Sequence, residues 1–222
     1  MNALTMRQDC GCPERGTRAV DGVQLASLVA ARLCHDLVSP LGAIGNGVEL
    51  LEMSGDFPGI AKSPELALIG ESVRAARARV KFYRMAFGHA PADQRAAVSE
   101  VIQLTHDYAA GARLTVDIDG GGDVSRVESR MLLLALMCMD SAMPWGGRVS
   151  VCRSGTGWRL VGEASRTRVE RPLWGWLGGA CAGSLPDPSP AEVHFPLLGT
   201  LSAEAGRPID WHVDDKGAQI SF

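Results

Sequence analysis

The chain has 222 residues, of which 46% are apolar and 21% are charged, and its net charge at pH 7 is -3. These values fit a soluble globular protein of one large or two small domains, and they favour neither nucleic acid nor a membrane as partner. The longest apolar run, Met131–Met139, is much shorter than the ~18 residues of a membrane span. The N-terminus has no apolar signal segment, and six cysteines are too few for a disulfide scaffold. We therefore expect a cytoplasmic protein.

Residues 1–20 are polar and predict a disordered tail. Cys10 and Cys12 form a C-x-C motif there, and neither Cys nor His follows at the spacing of a zinc site. We expect two free thiols and no metal site.

Residues 21–90 predict a hairpin of two long helices. The second helix has a marked start, with Ser63 as the N-cap and Pro64 at the first helical position. The second helix carries an apolar seam at alternating spacings of three and four residues, and the first helix carries a nearly equivalent one. The seams comprise Ala26, Ala30, Leu33, Leu37, Pro40, Ile44, Val48 and Leu51 in the first helix, and Leu66, Ile69, Val73, Ala76, Val80, Tyr83 and Phe87 in the second. Because one hairpin would leave much of each seam in water, we predict a homodimeric four-helix bundle.

Residues 92–222 have the pattern of a separate α/β sandwich, which makes the whole chain an α+β protein. Alternating and helical periodicities predict the order α-β-α-β-β-α-β-β. The predicted helices cover residues 96–110, 125–143 and 191–205, and the predicted strands cover residues 113–119, 148–152, 157–161, 208–213 and 217–222.

The candidate chemical group is His35, in the first helix. It lies two residues from both Leu33 and Leu37, about 200° around a helix from each, so it should point away from the seam. An exposed imidazole is near neutral at pH 7 and is a competent nucleophile. Asp36 could accept a ring N–H and fix the tautomer, or act as a base. The alternative is an incidental surface histidine, and the acidic neighbour, the kinking Pro40 and the hairpin argue against it.

The run His35–Leu41 resembles the H-box of two-component histidine kinases, with the pattern H-[E/D]-L-x-x-P-L. The longer segment Arg32–Leu51 resembles the ChpT-type histidine phosphotransferases of alphaproteobacteria. That resemblance implies a dimeric hairpin followed by a degenerate domain similar to a kinase ATPase domain. It also implies that His35 is phosphorylated and that Asp36 is its acidic neighbour. On the same predicted helix face lie candidate docking residues for a receiver domain: Arg32, Ser39, Gly42, Asn46 and Glu49.

The second domain lacks the ATP-binding motifs of a sensor kinase. It has no D-x-G-x-G, G-x-G-x-G or Walker loop, and Ser141 occupies the position where the last asparagine of the kinase N-box would be expected. We therefore expect no bound ATP and no autophosphorylation. A histidine that exchanges phosphoryl groups with receivers needs no cofactor of its own, because the receiver brings Mg²⁺.

The predicted function is therefore histidine phosphotransfer in a phosphorelay. The resemblance implies a hybrid-kinase receiver as the donor and response-regulator receivers of the CtrA type as acceptors. Two alternatives stay open, namely a sensor histidine kinase with an atypical ATP site and a non-catalytic dimeric adaptor.

Overall fold

The computed structural model describes most of the chain from residue 63 onward and part of the segment before it. The described residues are 22, 25, 29, 32, 33, 36, 37, 39, 40, 42–44, 46, 47, 50, 51, 63–88, 94–110, 112–155, 157–178, 185 and 187–222. The predicted tail, with Cys10 and Cys12, lies outside these residues, and so do His35 and Glu49.

Both helices predicted for the hairpin segment are present in its described residues. Every described residue from 22 to 51 is helical, and these residues are called α1. The helix α2 covers Pro64–Phe87, and the Ser63 side chain caps it by accepting a hydrogen bond from the Leu66 N–H. Pro64 is at the first position of this helix, where a missing N–H costs nothing. The predicted cap is thus confirmed.

The C-terminal part is a mixed α/β sandwich, which confirms the predicted α+β fold. Its strands are β1 (Arg95–Ala97), β2 (Leu114–Asp119), β3 (Asp123–Ser125), β4 (Gly147–Ser154), β5 (Gly157–Glu163), β6 (Asp210–Val213) and β7 (Gly217–Ser221). Its helices are α3 (Val98–Ala109), α4 (Arg126–Ala142), α5 (Arg171–Trp174) and α6 (His194–Glu204), with 3-10 turns at Gly175–Leu177 and Pro190–Glu192.

Five strands form the main sheet in the order β2-β4-β5-β7-β6. β2 and β4 are parallel and α4 connects them, whereas the other neighbours are antiparallel. Alternate residues of β4, such as Val149 and Val151, are buried, and their neighbours Arg148 and Ser150 are exposed. The sheet therefore has one face in the core and one in water.

The core continues from the sandwich into the end of α2. Phe82, Tyr83, Met85 and Ala86 belong to the same buried cluster as α4 and the inner face of the sheet, and Leu33 of α1 packs against it. The end of α2 and the sandwich therefore share one core, and the predicted domain boundary near residue 91 lies outside the described residues.

Three details differ from the sequence-based elements. Residues 95–97 form β1, which pairs with β3, so the predicted helix 96–110 begins only at Val98. The predicted helix 191–205 begins at His194, after the 3-10 turn. The segment rich in Trp and Gly forms α5 and the 3-10 turn at Gly175–Leu177. Its side chains Leu173, Trp174 and Leu177 are buried in the apolar core, which stabilises these short helices. Among the described helices, none is long and apolar enough to cross a bilayer.

Candidate functional site

Of the predicted docking residues, Ser39, Gly42 and Asn46 lie together on α1, Arg32 lies apart from them, and Glu49 is outside the described residues. Ser39, Gly42 and Asn46 are exposed, and a Cβ added at Gly42 would meet nothing within 4 Å. Their spacings of three and four residues place them on one helix face. Pro40 and Gly47, on another face, are buried. The structure thus contains an open polar row on α1 made of Ser39, Gly42 and Asn46.

Arg32, a predicted docking residue, and Asp36, the predicted acidic neighbour of His35, lie together with Tyr83 in a polar cluster. Arg32 Nε is 2.7 Å from Asp36 Oδ2, and the two side chains are only 16% and 12% exposed. Among the described residues, this Nε–H finds no acceptor in hydrogen-bond geometry, so the attraction is that of an ion pair. Tyr83 of α2 donates its hydroxyl hydrogen to the same Asp36 oxygen. Asp36 therefore binds α1 to α2.

Arg32 also reaches the C-terminal part of the chain. Its Nη1 donates a hydrogen bond of 3.2 Å to the Ala191 carbonyl, in the 3-10 turn before α6. The prediction that Arg32 points outward with the docking row is wrong about its direction. The side chain is turned inward because the Asp36 carboxylate on its own helix and the Ala191 carbonyl on the sandwich lie within its reach.

Burial and the neighbouring polar groups act in opposite directions on the pKa of this guanidinium. Burial lowers the pKa of Arg32, but Asp36, Tyr83 and Tyr108 hold it above its usual value. Burial, together with the neighbouring Tyr108, raises the pKa of Tyr83, so its hydroxyl stays protonated and donates to Asp36. Burial also raises the pKa of Asp140, and Arg32 partly offsets that effect.

Ser141, at the predicted N-box position, is held by a buried histidine. Its Oγ lies 3.0 Å from His194 Nε2, and His194 is 1% exposed and packs on Phe195 with ring centroids 4.7 Å apart. Burial, with a smaller effect from Arg32, lowers the pKa of His194 to about 3, so its ring is neutral. The hydrogen bond thus links α4 to α6 between uncharged groups.

A cavity of about 340 Å³ opens between α1 and the sandwich. Its acidic and basic groups include Arg32, Arg168 and Glu170, and Arg168 Nη2 lies 2.6 Å from Glu170 Oε1. Leu173, Trp174 and Phe195 supply apolar wall. Because its two arginines are paired with carboxylates, the cavity has little uncompensated positive charge for a polyphosphate.

Comparison with known proteins decides the family. A family model described as "Histidine phosphotransferase C-terminal domain" matches residues 98–217, more than half of the chain. The chain belongs to this family. Protein phosphotransferase ChpT of Brucella abortus (strain 2308) is 29% identical over 199 residues, which cover 87% of this chain and 92% of that protein. A 1.7 Å structure of a bacterial phosphotransferase superposes with a TM-score of 0.76 at 26% identity, covering 91% of this chain and 97% of the other. The resemblance to ChpT-type phosphotransferases is confirmed.

In the sequence Tyr83 belongs only to the seam, and nothing marks Asp140 or His194 as neighbours of Arg32. The Arg32–Asp36 pair could have been found, because its i, i+4 spacing on a helix favours an ion pair. The acceptor on Ala191 is a backbone carbonyl, and a sequence gives no signal for such a contact.

Proposed function

We propose that this protein is the phosphotransfer intermediate of a phosphorelay. A receiver aspartyl phosphate donates its phosphoryl group to His35, and the phosphohistidine passes it to the receiver of a response regulator. Membership of the histidine phosphotransferase family and the H-box pattern around His35 support this assignment. The donor is expected on a hybrid kinase, the acceptors are expected to be CtrA-like, and the setting is expected to be the cytoplasm.

The observation that carries the proposal is the open row of Ser39, Gly42 and Asn46. Counted from His35 these residues are at +4, +7 and +11, the spacings that return to one side of a helix. A histidine in line with this row would be met by any partner that lies along it. Gly42 has no side chain to hold that partner away. The exposed row is therefore a suitable platform for a receiver.

The proposed chemistry requires only one reacting group from this chain, a ring nitrogen of His35. A lone pair on one neutral ring nitrogen of His35 attacks phosphorus, an N–P bond forms, and the P–O bond to the receiver's aspartate breaks. The ring then loses one proton to solvent. Catalysis comes from positioning and from the Mg²⁺ that the receiver holds, so we propose no cofactor of this chain's own. In the reverse direction a receiver aspartate attacks phosphorus, the P–O bond forms, and the N–P bond to His35 breaks.

The proposal does not include ATP. The cavity beside α1 has paired arginines, and the hydroxyl of Ser141 is held by His194. A kinase-like role would need a phosphate cradle of backbone N–H groups, for which the sequence has no glycine motif. These features favour transfer from a receiver over transfer from a nucleotide.

We also propose that the protein acts as a homodimer through α1 and α2. Leu50, Leu68 and Val80 of the hairpin are exposed by 47%, 40% and 48% of their surface. Apolar side chains of this size favour a partner helix over water. A second copy of the hairpin would cover Val80, which is at a predicted seam position.

Labelling with two phosphoryl donors tests the proposal. The full-length protein is incubated either with ATP and Mg²⁺ alone or with a phosphorylated receiver. We expect label only with the receiver, stable in base and labile in acid, and removed by a second receiver; EDTA should block both steps. Labelling by ATP alone that is lost in His35→Ala would establish the sensor-kinase alternative. If neither donor labels the protein, the remaining interpretation is a non-catalytic dimeric adaptor.

A further inference from the structure

Three separate parts of the chain meet at the guanidinium of Arg32. Its Nε faces Asp36 on α1 at 2.7 Å, and its Nη1 donates to the Ala191 carbonyl at 3.2 Å. Through Asp36 it is connected to the Tyr83 hydroxyl on α2. One side chain thus joins both helices of the hairpin to the turn in front of α6.

The turn that Arg32 reaches is firmly held. Ser189 and Glu192 form a reciprocal cap around Ala191: the Ser189 N–H and Oγ–H donate to Glu192 Oε2 at 2.9 and 2.7 Å. The Glu192 N–H donates to the Ser189 carbonyl at 2.9 Å. After this turn the chain enters the buried N-terminus of α6, where Val193 and His194 are 0% and 1% exposed. The carbonyl of Ala191 is therefore a fixed point of the sandwich.

We infer that Arg32 is a positioning residue, which fastens the helix turn around residue 35 to the C-terminal domain and so fixes where a receiver finds His35. Arg32 and Asp36 flank His35 in the sequence at −3 and +1. Both are held from the interior side, so rotation or tilt of this turn would break their contacts. The inference rests on the proposed function, and it replaces direct docking as the role of Arg32.

Direct docking to an acidic receiver is the competing role of Arg32. A docking arginine presents its charge to solvent, whereas the Arg32 side chain is 16% exposed and its charge is offset by Asp36. A docking charge could be replaced by lysine. The link needs a planar group with one nitrogen toward the Asp36 carboxylate and another toward the Ala191 carbonyl, which an ammonium on a single flexible stem supplies poorly.

The experiment compares Arg32→Ala and Arg32→Lys with the wild type, in the full-length protein. Arg159→Ala, at an exposed arginine of β5, is the matched control. Each protein is assayed for transfer from a phosphorylated receiver and for labelling by phosphoramidate, a small donor that needs no docking. Hydrogen exchange is followed in peptides covering residues 28–40 and 187–198.

We expect both Arg32 variants to lose at least about tenfold in the rate of transfer from the receiver, because small misplacements of reacting groups are costly. Labelling by phosphoramidate should stay within about twofold of the wild type, since the His35 ring itself is intact. Exchange should accelerate in both peptides, including the one 150 or more residues away in sequence. Arg159→Ala should match the wild type in all three measurements.

Two results would overturn the inference. One is restoration of receiver transfer by Arg32→Lys to the wild-type rate, which would make Arg32 a docking charge. The other is unchanged exchange in residues 187–198 of Arg32→Ala. A wild type that takes no phosphoryl group from any receiver or from phosphoramidate would instead overturn the proposed function, and the exchange result would still decide whether Arg32 links the two domains.

Discussion

Gly47 of α1 packs so closely on Ile69 of α2 that a Cβ added at Gly47 would lie 2.5 Å from Ile69 Cγ1. It would also lie 3.3 Å from the backbone carbonyl of Glu65. Gly42, five residues earlier in the same segment, has open space at the corresponding point. One glycine therefore brings the two helices together, and the other keeps a surface clear.

These two glycines make a matched pair for a stability measurement. Gly47→Ala should lower the free energy of unfolding by about 1–3 kcal/mol, because a methyl group forced into a packed interface displaces its neighbours. Gly42→Ala should raise it by up to about 1 kcal/mol through the better helix propensity of alanine. Urea unfolding measures both. Equal effects of the two substitutions would show that α1 and α2 do not pack as described.

The hydrogen bond from Tyr83 to Asp36 should contribute measurably to stability. Tyr83→Phe keeps the ring, which lies in the core at 2% exposure, and removes only the hydroxyl. We expect a loss of about 1.5–3 kcal/mol in the free energy of unfolding, the range for a hydrogen bond to a charged group. The same substitution added to Asp36→Ala should cost much less, since the acceptor is already gone. If the losses from Tyr83→Phe and Asp36→Ala simply add in the double variant, the hydrogen bond between these two side chains is absent.

His194 should make the stability of the protein depend on pH. Its pKa is lowered by burial to about 3 in the folded state, against about 6.5 in an unfolded chain. Between these values the unfolded chain binds one more proton, so acid favours unfolding. His194 therefore does not reduce the free energy of unfolding above pH 6.5. As the pH falls from 6.5 toward 3, it lowers that free energy by about 1.4 kcal/mol per pH unit.

The measurement is denaturant unfolding at several pH values between 7 and 5. The slope of the free energy of unfolding against pH gives the number of protons taken up on unfolding. In His194→Gln this number should be smaller by about one than in the wild type, because the titrating group is gone. His212→Gln is the matched control, since His212 is exposed. If the free energy of unfolding of His194→Gln depends on pH as steeply as that of the wild type, His194 is not a buried neutral group.

The predicted dimer can be tested at an exposed seam residue. Val80 is 48% exposed on α2, and Val169, on the sandwich, is 39% exposed. Val80→Glu should dissociate the dimer, because two unpaired carboxylates would be buried at its axis. Val169→Glu should leave the mass unchanged. Light scattering at micromolar concentration measures both proteins, and a monomeric wild type would refute the dimer.

The fold was predictable from the sequence where a local signal existed. The cap at Ser63 forms as the sequence indicates, and the structure shows a second cap at Ser125, a capping box with Glu128. Alternation over residues 113–119 predicted a strand, and β2 forms there at Leu114–Asp119. The short pair β1 and β3 was missed, because three-residue strands have no periodicity and form only when their partner is in place.

The candidate site was predictable only in part, for a physical reason. Exposure of Ser39, Gly42 and Asn46 follows from helix geometry alone. The inward course of Arg32 depends on a carbonyl 159 residues away, and the burial of His194 depends on the packing of α6. Such contacts result from tertiary structure, and no spacing in the sequence encodes them.

The most direct test of the phosphotransfer account locates the phosphoryl group. A receiver carrying labelled phosphate is mixed with wild-type protein, with His35→Ala and with His106→Ala, an exposed histidine of α3 that serves as the matched control. We expect full label on the wild type and on His106→Ala, and none on His35→Ala, with thermal unfolding unchanged. Undiminished label on His35→Ala would contradict it.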